Sequence, residues 1–531
     1  MVSRWARCFV AASGMGLLLA SAVVSVAETD KTLRIVMHSD LKVLDPVWSS
    51  SYLTRTHALM VYETLFAPDA NGVPQLQMLE SHEVSPDSLT HTFRLRPGLA
   101  FHDGTPVRAA DCIASIQRWG KRDPGGQILM AATKTFKIVD DRTFVAELQR
   151  PVGPIRDFLG KVSSLPAVIM PERLAKADAT QQIEEAVGSG PFIFKEAEWK
   201  PGNQVVYEKN PNYVPRAEPA DGLAGGRLAK VDRIEWLSLP DANTTLSALQ
   251  NGEIDYYEQP PMDFIPLIRD DPRLNLYKPS ALGEMQGWLR PNHLHPPFNN
   301  PKARQALVHL VNQMDYMRAI GAPDGFYRET CGAFFLCGAP YESRAAVEAV
   351  LSPDLEKAKA LMQEAGYKGE KVVVIQPTDL PHMDTVSQIT ASQLRKIGIN
   401  VELQPMDWAT HVTRRASKKA PEDGGWSIVH TLPVGIDAFT PANNMGIMSN
   451  CEAAWVGWPC DEKVEKLKTD WVIEPDPARR SAIVDALQTR LYETVPYVIW
   501  GQYAMPVAYS KKLAGLIETP VPVFWNIEKQ H

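Results

Sequence analysis

The segment from Phe101 to Arg118, FHDGTPVRAADCIASIQR, constrains the fold of this chain more than any other stretch. Asp103-Gly104 predicts a tight turn, because glycine adopts positive φ angles without steric cost. Apolar residues then recur at helical spacing from Ala109 to Ile116. The preceding stretch Thr90–Leu95 alternates between polar and apolar residues, as an antiparallel strand does. The sequence therefore predicts a strand, a turn and a helix with an acidic start.

The first 27 residues have the composition of a cleaved export signal. Arg4 and Arg7 precede an apolar run from Phe9 to Val24, and Ser25–Ala27 offers small residues for cleavage. The run is short and is interrupted by glycine and serine, so an uncleaved membrane anchor is the less favoured alternative. We expect a signal peptide over 1–27 and a mature protein in the periplasm.

Length and charge narrow the class of protein further. About 500 residues remain after the signal, too many for one hydrophobic core, so we expect two or three domains. The formal net charge is -7, which argues against nucleic acid and anionic membrane surfaces as partners. The stretches VVVI, ITASQLRKIG and NVELQPM predict a strand, a helix and a second strand, a βαβ unit of an α/β fold.

Cysteine spacing fits an exported protein. Cys331 and Cys337 close one short loop, and Cys451 and Cys460 close another. In an oxidising compartment each pair could form a local disulfide. A metal site is the alternative, although these spacings lack the tight cysteine pairs and nearby histidines of zinc modules. Cys112 falls on the predicted helix after the turn, where we expect a buried apolar residue.

The sequence carries no motif of a common enzyme class. It lacks a G-x-S-x-G elbow, an HExxH helix, a Walker A loop and a dinucleotide fingerprint. His293 and His295 could bind a metal, but they lie in a proline-rich turn, which favours a solvated loop. We predict a binding protein without a cofactor, with a hydrolase or transferase as the alternative.

Six short segments occur in a fixed order along the chain. Besides FHDG, they are LDP followed by a helix ending in YETLF, GSGPF, NGEID, PPFNNPKARQAL and DLEKAKALMQEAG. Together they resemble the peptide/nickel/oligopeptide class of periplasmic solute-binding proteins, also called extracellular solute-binding protein family 5. These proteins are the receptors of ABC importers.

The resemblance implies a fold, an architecture and a set of partners. Members have two α/β lobes of the class II (cluster C) type, with a third subdomain inserted in lobe one and a ligand held between lobes that close by a hinge. We map lobe one to 28–67, 186–282 and 500–531, the inserted subdomain to 68–185 and lobe two to 283–499. The expected partners are a peptide or another small molecule and an inner-membrane ABC permease, and the expected state is a monomer.

Four of the 13 tryptophans are candidates for the ligand cleft. Trp48, Trp288, Trp408 and Trp426 lie at strand ends or in loops that the family directs toward its ligand. Tryptophan suits both a ligand-facing wall and a protein core. Core packing therefore stays open for each of them.

The sequence departs from the peptide-binding members at two positions. Those members hold the ligand ammonium with an aspartate shortly after the tryptophan equivalent to Trp426, where this chain has His430 and no acid. The nearest acid is Asp437, which could reach an amine or cap a loop. Dipeptide binders also use an arginine in the region that reads QPTDLPHMD here. Both departures weigh against a free dipeptide and leave a cationic or neutral polar solute open, with Asp379, His382 and Asp437 as candidate polar contacts. A peptide-like solute stays the expectation that the resemblance implies, with an amine, an opine, a sugar or a metal chelate as the alternative.

Overall fold

The computed structural model describes residues 31–239 and 241–530, so the predicted signal peptide lies outside the described residues. Within them the chain forms three larger β-sheets, three two-stranded ribbons and fifteen α-helices. This is a mixed α/β fold, as the sequence predicts.

A seven-stranded sheet collects strands from both ends of the chain. Its first strand pairs in parallel with two later strands, in registers that place Val36 beside both Leu237 and Tyr257. The carboxyl ends of the three strands therefore share one edge of the sheet. In spatial order the strands are Phe192–Phe194, Gln204–Lys209, Arg233–Leu237, Thr32–Val36, Tyr256–Glu258, Val507–Ser510 and Leu274–Tyr277.

A five-stranded sheet is built from the later part of the chain. The predicted βαβ unit is confirmed here, because Val372–Pro377 and Val401–Met406 pair in parallel around the helix Pro381–Lys396. The chain enters this sheet between Tyr277 and Met285 and leaves it between Tyr503 and Val507. In spatial order the strands are Val401–Met406, Val372–Pro377, Ile428–Thr431, Met285–Pro291 and Val498–Tyr503.

A four-stranded antiparallel sheet forms a separate layer. The predicted strand Thr90–Leu95 and the predicted turn are both present, with Gly104 at φ 84°. The helix that follows is Ala109–Trp119, and the Asp111 carboxylate accepts a hydrogen bond from the Arg108 backbone N–H at its start. The strands are, in spatial order, Leu79–Val84, Thr90–Leu95, Thr143–Leu148 and Thr133–Asp140.

A buried ion pair joins this layer to the loop after the first strand. Arg118, on the helix after the turn, donates two hydrogen bonds to the Asp45 carboxylate, at 3.0 and 2.7 Å. Both side chains are almost fully enclosed, and Asp45 also accepts from the Ile183 backbone N–H. Removing either partner would leave an uncompensated buried charge, so the pair fixes how the two segments meet.

The remaining elements cover the faces of the sheets. The α-helices are Tyr52–Val61, Ala109–Trp119, Pro124–Ala132, Ile155–Leu159, Glu172–Ala175, Ala242–Asn251, Ile265–Asp270, Pro301–Leu310, Gln313–Ala319, Glu348–Leu351, Leu355–Glu364, Pro381–Lys396, Trp408–Arg414, Glu462–Ile473 and Pro477–Thr494. The ribbons pair Glu63–Thr64 with Val168–Ile169, Phe66–Pro68 with Pro74–Leu76 and Leu513–Ala514 with Glu528–Lys529. Over the described ranges, none of the helices has the length and apolar character needed to cross a bilayer.

Both cysteine pairs are disulfides. Cys331 is bonded to Cys337 and Cys451 to Cys460. Cys112 is fully buried on its helix, as expected for a small apolar residue.

Candidate functional site

A cleft of about 590 Å³ opens between the seven-stranded and five-stranded sheets. Its floor is the carboxyl edge of Thr32–Val36, Arg233–Leu237 and Tyr256–Glu258, with the loops that follow these strands. The other side is the start of the helix Pro381–Lys396 and the end of the strand Val498–Tyr503. Loops from distant parts of the sequence converge at such an edge, which is where α/β sheets usually bind ligands.

Three carboxylates line the floor of this cleft. Glu258 ends its strand, and its Oε2 accepts a hydrogen bond from the His38 backbone N–H at 3.0 Å and lies 2.6 Å from His38 Nδ1. Asp40 accepts a hydrogen bond from the Gly202 backbone N–H at 2.7 Å. Asp263 stands exposed in the 3₁₀ turn after the strand of Glu258. The cleft therefore carries negative charge on one side.

The other lining residues are mainly apolar or aromatic. On the side of the five-stranded sheet, His382 and Ile320 line the cleft, and burial lowers the pKa of His382, so its ring is neutral at pH 7. The aromatic and sulfur-containing lining residues are Met37, Trp236, Tyr257, Met262, Tyr503 and Met505. Apolar walls with a few polar groups are the usual composition of a small-molecule site.

A smaller cavity of about 50 Å³ adjoins the cleft and shares His38 and Glu258 with it. It is lined by Arg55, which is 3% exposed and whose Nε and Nη1 atoms have no hydrogen-bond partner among the described residues. The guanidinium lies 4.6 Å from the centre of the Tyr52 ring. Burial lowers the pKa of Arg55, and the charges of Asp437 and Glu258 oppose that shift.

The predicted ligand residue Asp437 lies in a contact between two segments. Its Oδ1 accepts a hydrogen bond from the Ser164 backbone N–H at 2.9 Å, and its Oδ2 accepts from the Ser164 hydroxyl at 3.3 Å. The Val434 backbone N–H donates to the Tyr52 hydroxyl at 3.1 Å. Burial and the Asp437 charge raise the pKa of Tyr52 well above its ordinary value. These contacts hold the loop after the strand Ile428–Thr431 against the segments that contain Tyr52 and Ser164.

Two of the predicted tryptophans are enclosed in the layer of the five-stranded sheet. Trp288 stacks on Tyr497 with ring centroids 4.2 Å apart, and its Nε1 donates to Gln286 at 2.7 Å. Trp426 is fully buried, and its Nε1 donates to the Arg415 carbonyl at 3.0 Å. Both indole N–H groups are thus satisfied within the protein.

The other two predicted tryptophans are more accessible. Trp48 is 38% exposed in the loop after the first strand. Trp408 begins a short helix, and its ring stacks on His411 with centroids 4.9 Å apart. The predicted polar contact Asp379 accepts a hydrogen bond from the Trp408 backbone N–H at 2.8 Å. Asp379 therefore provides a hydrogen-bond acceptor for a backbone N–H in the first turn of that helix.

His430 is fully buried on the strand Ile428–Thr431. Its Nε2 lies 2.9 Å from the Thr390 hydroxyl and its Nδ1 lies 3.4 Å from the Ser387 hydroxyl. Burial, assisted by the charge of His411, lowers the pKa of His430 to about 3. The ring is neutral and holds the strand to the helix Pro381–Lys396.

Of the eight predicted site residues, His382 is the one that lines the large cleft within residues 31–239 and 241–530. A ligand-binding role for all eight residues stays a prediction. Sequence reasoning missed His38 and Glu258. The available signal was an acid at the carboxyl end of the strand that follows NGEID, although the sequence does not show which strands lie beside it. No group of three potential metal ligands occurs in the described parts of the chain.

Comparison with known proteins places the chain in a family. Residues 73–453 match the family model for the middle region of bacterial extracellular solute-binding proteins, family 5. The chain is 41% identical over 502 residues to a probable peptide ABC transporter periplasmic-binding protein of Sinorhizobium fredii, with 94% of each chain covered. It is 25% identical over 535 residues to the glutathione-binding protein GsiB of Pectobacterium atrosepticum, covering 98% of this chain and 97% of that protein.

Solved structures share the fold. The periplasmic binding protein AgaA of A. tumefaciens, in complex with agropinic acid, aligns with a TM-score of 0.77 and 24% identity, over 94% of this chain and 99% of its own. The ABC transporter-associated periplasmic binding protein DppA of Helicobacter pylori, in complex with the peptide STSA, aligns with a TM-score of 0.77 and 21% identity, over 94% and 98% of the two chains. The family consists of solute-binding proteins and not of enzymes. The chain belongs to the bacterial extracellular solute-binding proteins, family 5.

Proposed function

We propose that this protein captures a peptide-like or other small polar organic solute in the cleft between the two larger sheets and delivers it to an inner-membrane ABC permease. The observation that carries the proposal is the position of the 590 Å³ cleft, at the carboxyl edge of parallel strands and facing a second α/β layer. The 41% identical relative, named as a peptide-binding component of an ABC transporter, supports the same function.

The proposed architecture has two lobes of the class II type. The seven-stranded sheet is the core of lobe one and the five-stranded sheet the core of lobe two, and the chain crosses between them twice. The four-stranded sheet belongs to the inserted subdomain at 68–185. Lobe one comprises 28–67, 186–282 and 500–531, and lobe two comprises 283–499. A solute that binds the closed arrangement better than the open one shifts the population to the closed form.

The cellular setting follows from export. We propose that residues 1–27 are a cleaved signal peptide and that the mature protein acts as a monomer in the periplasm. Its acidic net charge argues against nucleic acid as a partner. The permease would recognise the closed form of the protein.

The nature of the solute is the next part of the proposal. Relatives and fold neighbours are described as binding glutathione, the peptide STSA or agropinic acid. These solutes share amide or carboxyl groups on a small polar frame. We take short peptides as the first class to test, with opine-like and amine solutes as the second.

A thermal-shift screen of the protein purified from the periplasm tests this function. The probes are di-, tri- and tetraalanine, reduced glutathione and small amines, each at millimolar concentration. A ligand that binds the native state raises the unfolding midpoint by mass action, and a 100-fold excess over Kd adds about 2.7 kcal/mol of stability. A saturable shift with one of these probes supports the proposal. A flat response to every probe contradicts it.

A further inference from the structure

Apart from its histidines, the ionisable side chains that line the cleft are mainly acidic. Its lining includes the carboxylates Asp40, Glu258 and Asp263, whereas neither lysine nor arginine is among the lining residues in the described ranges. The histidines that line it are His38 and His382, and the latter is neutral. A carboxylate entering the cleft would meet like charges, and a cation would meet opposite ones.

Glu258 is the buried member of this group and has an open oxygen. Its side chain is 5% exposed, and His38 occupies Oε2 through both the backbone N–H and Nδ1. The other oxygen, Oε1, accepts no hydrogen bond from the described residues, and it is not among the enclosed atoms without a partner. Burial raises the pKa of Glu258, but His38 and Arg55 more than offset this, so the pKa lies below its ordinary value. Glu258 is therefore an ionised carboxylate that lines both the cleft and the smaller cavity, with one oxygen that accepts no hydrogen bond from the described residues.

Arg55 is the nearest alternative recognition group, and its surroundings argue against an anion. Its unpartnered Nε and Nη1 atoms are enclosed, and the cavity beside them holds about 50 Å³, room for a few water molecules. Glu258 and Asp437 already provide two negative charges for this one guanidinium. Because Arg55 is enclosed and already interacts with the charges of Asp437 and Glu258, we take it as a partner of these carboxylates and not as a site for the carboxyl group of a solute.

Asp437, the amine anchor considered from sequence, differs from Glu258 in its hydrogen bonds. Both of its oxygens accept from Ser164, one from the backbone N–H and one from the hydroxyl. An ammonium group arriving at Asp437 would have to compete with these bonds. An ammonium at Glu258 would meet an oxygen that accepts no hydrogen bond from the described residues, in a cleft that is also lined by Trp236 and Tyr257, whose rings can attract cations.

We infer that Glu258 is the anchor for a primary ammonium group of the solute, with Asp40 and Asp263 adding negative charge around it on the wall formed by the seven-stranded sheet. This inference rests on the proposed function, because it names the group that the same cleft recognises. It assigns the ammonium to the wall opposite His382. It also predicts that the cleft favours solutes whose amine is free and whose carboxyl group is neutralised or points away.

The test compares probes that differ in one charged group. Isothermal titration with trialanine, N-acetyl-trialanine and trialanine amide is carried out on the wild-type protein and on Glu258→Gln. We expect acetylation of the amine to weaken binding at least 30-fold in the wild type, as loss of a buried charged contact does. Amidation of the carboxyl group should leave binding unchanged or tighter. In Glu258→Gln, trialanine should bind as weakly as its acetylated form.

Two further variants serve as matched controls. Asp437→Asn removes the competing carboxylate, and Glu253→Gln removes an exposed carboxylate just before the same strand. Both should bind trialanine within threefold of the wild type. If Glu258→Gln fails to fold, as its melting curve would show, Asp263→Asn replaces it with an expected two- to fivefold weakening that affects trialanine and not N-acetyl-trialanine.

The outcomes separate this inference from the proposed function. Binding of trialanine that is insensitive to acetylation, or that depends on Asp437 and not on Glu258, overturns the anchor and leaves the receptor function intact. Binding of a simple diamine such as cadaverine without any peptide, weakened in Glu258→Gln, supports the anchor and overturns the peptide class. No binding of peptides or amines overturns both.

Discussion

The two sheets that flank the cleft hold their polar groups in opposite ways. On the seven-stranded sheet, Glu258 ends its strand with one oxygen that accepts no hydrogen bond from the described residues, and Asp40 and Asp263 lie in loops that line the cleft. On the five-stranded sheet, Trp426 and His430 are fully buried and bonded within the protein. The first wall is thus arranged to meet a solute, and the second is arranged to stay rigid.

This difference shows why residue type alone does not locate a site. Tryptophan and histidine occur both in ligand clefts and in buried protein cores. What distinguishes them is whether their polar atoms are already paired. Each prediction below changes one residue on one side of the comparison and asks whether stability or binding responds.

The largest expected effect is on stability and concerns Trp426. Trp426→Ala removes a fully buried side chain that packs near Trp458, with ring centroids 5.8 Å apart. We expect the free energy of unfolding to fall by about 3–5 kcal/mol, the usual cost of such a cavity. Urea denaturation followed by circular dichroism measures it.

The matched control for this substitution is Trp48→Ala. Trp48 is 38% exposed, so its loss should cost less than about 1 kcal/mol. Equal losses for the two variants would contradict the distinction between a core tryptophan and a surface one. A Trp426→Ala protein of normal stability that no longer binds its solute would place Trp426 in the ligand site after all.

The second effect is a dependence of stability on pH that His430 contributes. Burial lowers the pKa of His430 to about 3, whereas an unfolded histidine titrates near 6.5. Between these values the unfolded chain binds a proton that the native protein does not, so stability rises with pH in this window and is lost on acidification. At pH 5 the loss from this residue is about 2 kcal/mol relative to pH 7.

His430→Gln tests this contribution, because an amide can still bond to Thr390 and Ser387. The free energy of unfolding of the wild type should fall by about 2 kcal/mol more than that of the variant between pH 7 and pH 5. The other histidines are common to both proteins and cancel in the difference. Parallel stability profiles for the two proteins would show that the pKa of His430 is the same in the native and the unfolded state.

The third effect concerns Asp437 and should appear in stability and not in binding. Asp437→Ala removes both acceptors of Ser164, at 2.9 and 3.3 Å. We expect a loss of about 1–2 kcal/mol, the cost of leaving a partly buried donor unpaired. Asp437→Asn keeps one acceptor for the Ser164 N–H and should lose about half as much. A large drop in affinity with unchanged stability would return Asp437 to the role of amine anchor.

Much of the fold could be predicted from the sequence, because many of its strands, helices and turns are determined by local residue patterns. Alternation of polar and apolar residues predicted the strand Thr90–Leu95 at its observed bounds, and Gly104 adopts the positive φ that its turn requires. The βαβ unit around Pro381–Lys396 followed from a strand, a helix and a strand in succession. Such signals depend on residues a few positions apart.

The site was harder to predict, because it depends on residues far apart in the chain. His38 and Glu258 are 220 positions apart and meet because their strands are parallel neighbours. Whether Asp437 or Glu258 has a free oxygen depends on Ser164 and His38, neither of which is near its partner in sequence. His382 lies at the start of the helix Pro381–Lys396, seven residues before the predicted helical stretch ITASQLRKIG, and it lines the cleft; its contact with a solute stays a prediction.

The smallest expected effect concerns Asp379. Substituting this residue tests whether its carboxylate has a structural role or binds the solute. Asp379 accepts the Trp408 backbone N–H at 2.8 Å, at the start of the helix Trp408–Arg414. Asp379→Ala should cost about 0.5–1 kcal/mol, the lower part of the range for a lost helix-start acceptor, while Asp379→Asn keeps the acceptor and should be neutral. Neither variant should change the affinity for the free amine, measured by titration. If Asp379→Asn weakens binding although its stability is unchanged, the charge of Asp379 acts on the solute and lobe two supplies a second anchor.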